Sequence, residues 1–405
     1  MSRPLLVIFL TIFVNLVGFG IIIPLLPFYA TTFGASPLTI GLLFASFSIS
    51  QLVSAPILGD LSDRWGRRPV LILSLLGTAV SFAMLAVAEG LVMLFAARIV
   101  DGLSGGNITT ARAYIADITP EAERPRAFGL LGAAFGLGFI VGPALGGAFS
   151  TISYAAPIWA AAAITLVAMA LAWIWLPETV HRSEAGGVSP WRAVRELSQR
   201  PGLRLLLSID FLYWMSFAVY QTTFALFGAR RFGFDATHTG YLFSAFGALG
   251  VLVQGGLIGP MAKAFGTRQS LVIGLVCAAI GWGGSALTYS VPVFVAMLIP
   301  GAIGIGLCSA TLSALVSNAA DSREQGRVQG AAGALESLGR SIGPVWGNAV
   351  LQGAGEGAAY GSAAAVLLGA AVMAERYKSP AVAVAAPAPE DSRDAAPDEK
   401  VLENG

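Results

Sequence analysis

Three carboxylates fall clearly inside long apolar stretches of this chain: Asp101, Asp210 and Glu336. Arg98 stands three residues before Asp101, and Arg340 four residues after Glu336. At those spacings each pair shares one helical face. A charge deep in an apolar helix is costly unless it is paired or faces water, so such groups mark ion paths, proton relays and substrate sites. A carboxylate shut away from water readily takes up a proton, whereas one beside arginine stays charged. Asp210 opens the polar-aromatic run Ser208–Gln221 and is the leading candidate to carry a proton. Glu336, Asp101 and Arg98 follow, as coupling groups or as structural ion pairs. Arg112 either faces the same interior, to meet an anionic group, or reaches back to the membrane surface.

Pockets for amphipathic solutes combine aromatic walls with a few polar groups. Asn15, Gln51, Asn107, Gln221, Gln254, Asn348, Tyr213, Trp214, Tyr220, Trp282 and Trp346 are therefore candidates to line a cavity with Arg112 and Arg340. Aromatics in membranes also pack or sit in interfacial belts. The two histidines, His181 and His238, and the two cysteines, Cys277 and Cys308, form no ligand cluster, so no metal site is expected. The Gly102–Gly106 stretch lacks the Gly-Lys-Ser/Thr ending of a phosphate loop. No ATP site and no cofactor are implied, and the proton is the expected coupling ion.

Long apolar helices must position these groups. Of the 405 residues, 56% are apolar and 12% charged, against roughly 45–50% and 25% in soluble domains. The net charge of +1 argues against a nucleic-acid partner. The pattern predicts an all-α membrane protein with twelve spans near 5–29, 37–59, 70–88, 92–116, 127–150, 156–176, 203–228, 238–262, 269–288, 292–317, 327–351 and 357–376. The first is too long for the apolar core of a signal peptide and lacks a small-residue cleavage site. With the N-terminus inside, the inner segments hold 19 of the 24 Lys and Arg, and the outer loops only Arg230 and Arg231. That bias predicts both termini in the cytoplasm. The expected organisation is a six-helix bundle over 1–176, a linker over 177–202 with an amphipathic helix at Ser189–Leu197, a second bundle over 203–378, and an Ala/Pro-rich, acidic, disordered tail over 379–405.

The two halves repeat. Phe33-Gly34 and Gly41 match Phe232-Gly233 and Gly240, Trp65-Gly66 matches Phe265-Gly266, and Arg126, Gly129 and Gly142-Pro143 match Arg327, Gly330 and Gly343-Pro344. An even number of spans per half makes the repeat parallel, which places a substrate site between the halves near the midplane.

The turn after the second span reads Gly59-Asp60-Leu61-Ser62-Asp63-Arg64-Trp65-Gly66-Arg67-Arg68. It resembles the cytoplasmic signature of the major facilitator superfamily. The resemblance implies a gate: Asp63 at the N-terminus of a helix in the other half, braced by Arg64, Arg67 and Arg68, with Asp117 and Arg126 nearby. The second half's copy, Gly259–Arg268, lacks the acid. Gly138, Gly142-Pro143 and Gly146-Gly147 resemble that superfamily's antiporter motif, whose small residues let helices touch and whose proline bends one. Arg98, Gly102, Asp117 and Gln51 are similar to the tetracycline/proton antiporter branch, over most of 5–150. That branch has an aspartate early in span 1, where this chain has Asn15, which cannot carry a proton. The implied function is proton-coupled efflux of an amphipathic small molecule by alternating access. The expected setting is a multi-pass protein, a monomer, in a bacterial cytoplasmic membrane. Uniport or symport of a sugar, lipid or other nutrient stays open, as does a non-transporting receptor or scaffold. No enzymatic activity is implied.

Overall fold

The computed structural model describes residues 3–105, 107–120, 123–179, 190–319 and 324–377. The expected tail lies outside them. The helices are α1 (Arg3–Thr32), α2 (Pro37–Trp65), α3 (Arg67–Ala86), α4 (Leu91–Ser104), α5 (Asn107–Ile118), α6 (Arg124–Ser150), α7 (Ala155–Trp175), α8 (Pro190–Leu197), α9 (Pro201–Phe232), α10 (Ala236–Gly256), α11 (Ile258–Leu287), α12 (Val291–Asn318), α13 (Gln325–Ala354) and α14 (Glu356–Arg376). Among the described residues, ten helices are long and apolar enough to cross a membrane. The expected fourth span is split into α4 and α5, each too short alone, and α13 carries Arg327, Glu336 and Arg340. The eighth span carries on as helix past Leu257, and α11 is kinked at Gly266, whose φ of 79° is non-helical, so the break between the eighth and ninth spans falls there.

Local chemistry sets the ends. Ser36 accepts the Thr39 N–H at 3.2 Å ahead of Pro37, an N-cap followed by a proline whose missing donor costs nothing there. Gly233 ends α9 in the left-handed region at φ 71°. Asp235 caps α10. Partial burial pushes its carboxyl up, but hydrogen bonds from the His238 backbone and ring outweigh that and hold it below the ordinary carboxylate range.

Helices α1–α7 pack chiefly with one another, as do α9–α14. The sets meet along two seams, α2 against α13 and α6 against α10. At the first, Gly41 lies on Pro344 and Asn348, and the Leu38 N–H donates to Gln352 Oε1 at 3.1 Å. At the second, Gly240 lies on Pro143 and Gly147, while Thr237 Oγ1 donates to the Gly147 carbonyl at 3.1 Å and Ser244 Oγ to that of Ile140 at 2.6 Å. Both seams lie where α2 and α10 begin and α6 and α13 end. Toward the other end, Gly129 and Gly132 of α6, Gly250, Gly255 and Gly256 of α10, and Gly330 and Gly333 of α13 have nothing within 4 Å of a Cβ position. The two sets thus touch at a seam end and part toward the end where α1 starts and α14 stops.

The sequence repeat is a repeat of geometry. Gly34 and Gly233 both have positive φ (76° and 71°), as do Gly66 and Gly266 (111° and 79°). The Gly41–Pro344 contact is mirrored by Gly240–Pro143. Arg68 donates to the Trp173 carbonyl in the last turn of α7 at 2.5 Å, and Arg268 to the Glu375 and Tyr377 carbonyls at the end of α14 at 3.4 and 3.2 Å. Each arginine thereby meets the negative end of the last helix in its own set.

Candidate substrate and coupling site

A narrow cavity opens where α1, α2, α4, α9 and α13 meet, beside the α2–α13 seam. Phe19, Phe47, Ser48, Arg98, Gln221 and Arg340 are among the residues that line it. Arg98 is fully buried, with Nη1 2.7 Å from Asp101 Oδ2 and its guanidinium 4.2 Å from the centre of the Phe47 ring. Its Nε has no hydrogen-bond partner among the described residues. Arg340 sits with Nη1 3.5 Å from Glu336 Oε1, and its guanidinium lies over Phe19 and Trp214 at 5.7 and 5.8 Å. Phe19 and Phe47 touch, with ring centres 5.8 Å apart. Two cation–π contacts therefore flank one aromatic pair, which offsets part of the cost of burying Arg98.

The acids lie toward the parted end. Gly339 and Gly343 bring the backbone of α13 against that of α9 at Phe211–Met215. That close approach sets Asp210 where the charge of Glu336 reaches it, with the Trp214 indole one turn further on. Asp210 is buried, 6% exposed, and the charge of Arg112 on α5 reaches Glu336 from the other set of helices. The expected coupling residues thus flank one cavity, Arg98 with Asp101 on one side and Arg340 with Glu336 and Asp210 on the other, and Arg112 is exposed on α5 with its charge reaching Glu336.

The other cavity candidates divide. Gln221 lines the cavity. Asn348 is fully buried in the seam, its Nδ2 donating to the Pro344 carbonyl at 2.9 Å and to Thr222 Oγ1 at 3.3 Å. Gln51 instead donates to the Gly105 carbonyl at 3.2 Å, and Ser54 to that of Gly102 at 2.9 Å. These bonds satisfy carbonyls freed where α4 stops, and so explain the split span. Tyr213 is buried and donates to the Ile305 carbonyl at 3.2 Å. Tyr220 and Trp282 stack at 5.2 Å within an aromatic core that includes Tyr360. Trp346 packs on that core, Gln254 is exposed on α10, and Asn15 is half-buried outside the cavity lining. The side chains of Asn107 and Arg126 lie outside those described. Phe19, Phe47 and Ser48 were missed. Phe47 lies one turn before Gln51, and that spacing was the available signal.

The gate residues cluster in the first set of helices. Arg67 pairs with Asp63, contacts Asp117 Oδ2 from Nε at 3.2 Å and donates from Nη1 to Ser62 Oγ at 3.1 Å. Arg64 pairs with Asp60 at 3.0 Å on the surface, and Gly59 meets no neighbour. In this conformation Asp63 pairs with Arg67 within its own half. The carboxylate at a helix N-terminus is Glu178, which accepts the Arg67 and Arg68 N–H groups at 2.9 and 3.3 Å and fills the space beside Gly66. The amphipathic segment of the linker forms α8 and packs on α13, where Arg327 pairs with Glu196. Arg200 donates to both oxygens of Glu324, at 2.7 and 2.9 Å, and these bonds hold that carboxyl below its ordinary range.

The antiporter-like motif has two working faces. Gly138, Gly142 and Gly146 lie on α1 at Leu16–Ile21, and Gly147 lies on α10. Pro143 has no N–H for the Phe139 carbonyl one turn back, and Gly247 of α10 sits against that carbonyl. Among the described residues, no group of three or more His, Cys, Asp or Glu is placed to hold a metal ion.

Comparison with known proteins was made on this footing. The family model described as Major Facilitator Superfamily matches residues 8–344 and 232–397. The chain is 35% identical over 354 residues to the class C tetracycline resistance protein of Escherichia coli, covering 85% of this chain and 88% of that one. It is 30% identical over 346 residues to multidrug resistance protein 2 of Bacillus subtilis (strain 168), covering 83% and 86%. The crystal structure of the human organic anion transporter MFSD10 (TETRAN) superposes with a TM-score of 0.71 at 25% identity, covering 92% of this chain and 99% of that one.

Proposed function

Because this chain belongs to the major facilitator superfamily, we propose that it exports an amphipathic small molecule in exchange for protons, by alternating access across a bacterial cytoplasmic membrane. The observation that carries the reading is the gathering of three cations and three carboxylates, with Arg98, Asp101 and Asp210 buried, at the crossing of the two helix sets, reached from the end where they part. Relatives named for tetracycline and multidrug resistance support a drug-like solute and a bacterial membrane. In this reading ten helices span, the interrupted α4–α5 pair forms an eleventh crossing, and α13 forms the twelfth, its charges facing the cavity rather than lipid. The Lys and Arg bias puts the termini end in the cytoplasm. Residues 1–176 and 203–378 then act as two bundles, with α8 as a strap between them, in a protein that works as a monomer.

The geometry supports the following cycle. With the seams shut, the site faces the cytoplasm. Substrate enters between α5, α9 and α13, and its binding displaces a proton from the Asp210–Glu336 pair. Two neighbouring carboxylates are suited to take and release a proton. Closing the termini end would bring the gate turn toward α13. Asp63 can then move to the N–H groups in the first turn of α13, because Arg67 keeps Asp117 and Ser62 as partners.

Inverted membrane vesicles from a host without its own drug pumps test this. Uptake of a fluorescent amphipath should require an imposed pH gradient and stop when it is collapsed. Asp210→Asn should abolish gradient-driven accumulation but keep substrate exchange. Accumulation against a gradient by that variant would remove Asp210 as the proton site.

A further inference from the structure

The cluster is polar in the literal sense. Its cavity end presents two guanidiniums, and Asp101 engages Arg98 through Nη1, leaving the buried Nε without a partner among the described residues. A guanidinium edge with a free donor suits a carboxylate or a related acid group. Glu336 stands four residues before Arg340, about 6 Å along the helix, with Asp210 beside it. The walls between are aromatic: Phe19, Phe47 and Trp214.

Two arguments fix the charge of what fits. Once the exchanged proton has left the Asp210–Glu336 pair, Arg98, Arg112 and Arg340 balance Asp101, Asp210 and Glu336, so a bound solute of no net charge keeps the site neutral. Exchange adds a second constraint. A bare anion stabilises protons on nearby acids, and linkage makes the two bind together. Only a cationic group competing for the same acids drives the proton out.

Resting on the exporter reading, we infer that the substrate is a dipolar amphipath whose acid group lies between Arg98 and Arg340 and whose ammonium group lies one helical turn away, at Glu336 and Asp210. The aromatic walls take its apolar body.

Matched dansyl probes test this by equilibrium dialysis against the full chain in lipid nanodiscs. Lysine dansylated on its α-amine carries an acid and an ammonium about one helical turn apart. Dansyl-norleucine lacks the ammonium, dansyl-cadaverine lacks the acid, and lysine dansylated on its ε-amine puts both charges on one carbon. The first should bind about ten- to a hundred-fold tighter than each of the others, the worth of one charge-assisted hydrogen bond. Arg340→Gln should lower it to the level of dansyl-cadaverine while leaving dansyl-cadaverine unchanged. Glu336→Gln should lower it to the level of dansyl-norleucine, and Arg340→Lys should keep part of the gain. Equal binding of dansyl-cadaverine, an equal loss for all probes in Arg340→Gln, or binding of none overturns the inference. Vesicles that pump dansyl-cadaverine, and dansyl-lysine no better, overturn it as well while leaving the exporter reading intact.

Discussion

One methyl group at each seam should open the closed end. A Cβ at position 41 would stand 2.9 Å from Asn348 Cβ and 3.1 Å from the Pro344 carbonyl carbon. At position 240 it would stand 2.9 Å from Gly147 Cα and 3.0 Å from Gly147 N. Most of these neighbours are backbone, which cannot swing aside. Overpacking of this kind costs about 1–3 kcal/mol. Alanine's higher helix propensity acts in both conformations of the same helix and cancels. The cost therefore falls on the seam-closed state alone. Each ~1.4 kcal/mol is a tenfold change in population, so Gly41→Ala or Gly240→Ala should raise the seam-open fraction about five- to a hundred-fold. The seams share no partner, so the double variant should combine the two effects. The assay places a single cysteine at Ala218, which lines the cavity, after Cys277 and Cys308 are replaced by serine. A membrane-impermeant maleimide applied from outside the cell reads its exposure. Gly250→Ala is the control, since α10 also carries that glycine but nothing lies within 4 Å of its Cβ position. Equal labelling rates in parent, seam variants and control would refute the account of the seams.

Asp101→Asn leaves Arg98 buried without its ion pair and should lower stability by about 3–5 kcal/mol, seen as a lower inactivation temperature in detergent. Removing both charges, as Arg98→Gln with Asp101→Asn, should recover much of that loss. Arg268→Gln should speed hydrogen exchange at the end of α14 and leave α7 unchanged, while Arg68→Gln should do the reverse. The Glu324 carboxyl, held low by Arg200, keeps its charge at neutral pH. Its contribution is present above the ordinary carboxylate range and is lost as pH falls through the lowered value. A carbon NMR titration of labelled glutamate should show that resonance moving last among the exposed glutamates, and Arg200→Gln should return it to the common range.

Much of this was legible in the residues. The pairing of Gly34 with Gly233 and of Gly66 with Gly266 is a sequence match that becomes a shared positive φ, because only glycine enters that region without strain. The i,i+3 and i,i+4 spacings gave both arginine–carboxylate pairs. The aromatic candidates were not separable. Tyr213 and Tyr220 stand on the same helix as Trp214, and whether each faced cavity or core depended on where α13 and α11 lie. Glu178 was invisible for a related reason. Its partners, the Arg67 and Arg68 N–H groups, are supplied by a turn more than a hundred residues away, which no local pattern records.

The two expected spans that fail as simple apolar helices carry five of the six charged groups at the site, with Asp210 on α9 the sixth. The split α4–α5 crossing holds Arg98, Asp101 and Arg112, and α13 holds Glu336 and Arg340. A lipid-facing helix gains from uniform apolarity, whereas a helix lining a wet crevice must present charge and give up length or hydropathy to do so. The break after α4 follows from the same demand. Gln51 and Ser54 of α2 take the Gly105 and Gly102 carbonyls, and Gly102 lets the backbone of α2 approach at Phe47. That approach puts the Phe47 ring under Arg98. The small residue at Gly102, one turn after Arg98 within α4, is therefore what allows a fully buried guanidinium to be held by one acid and one ring.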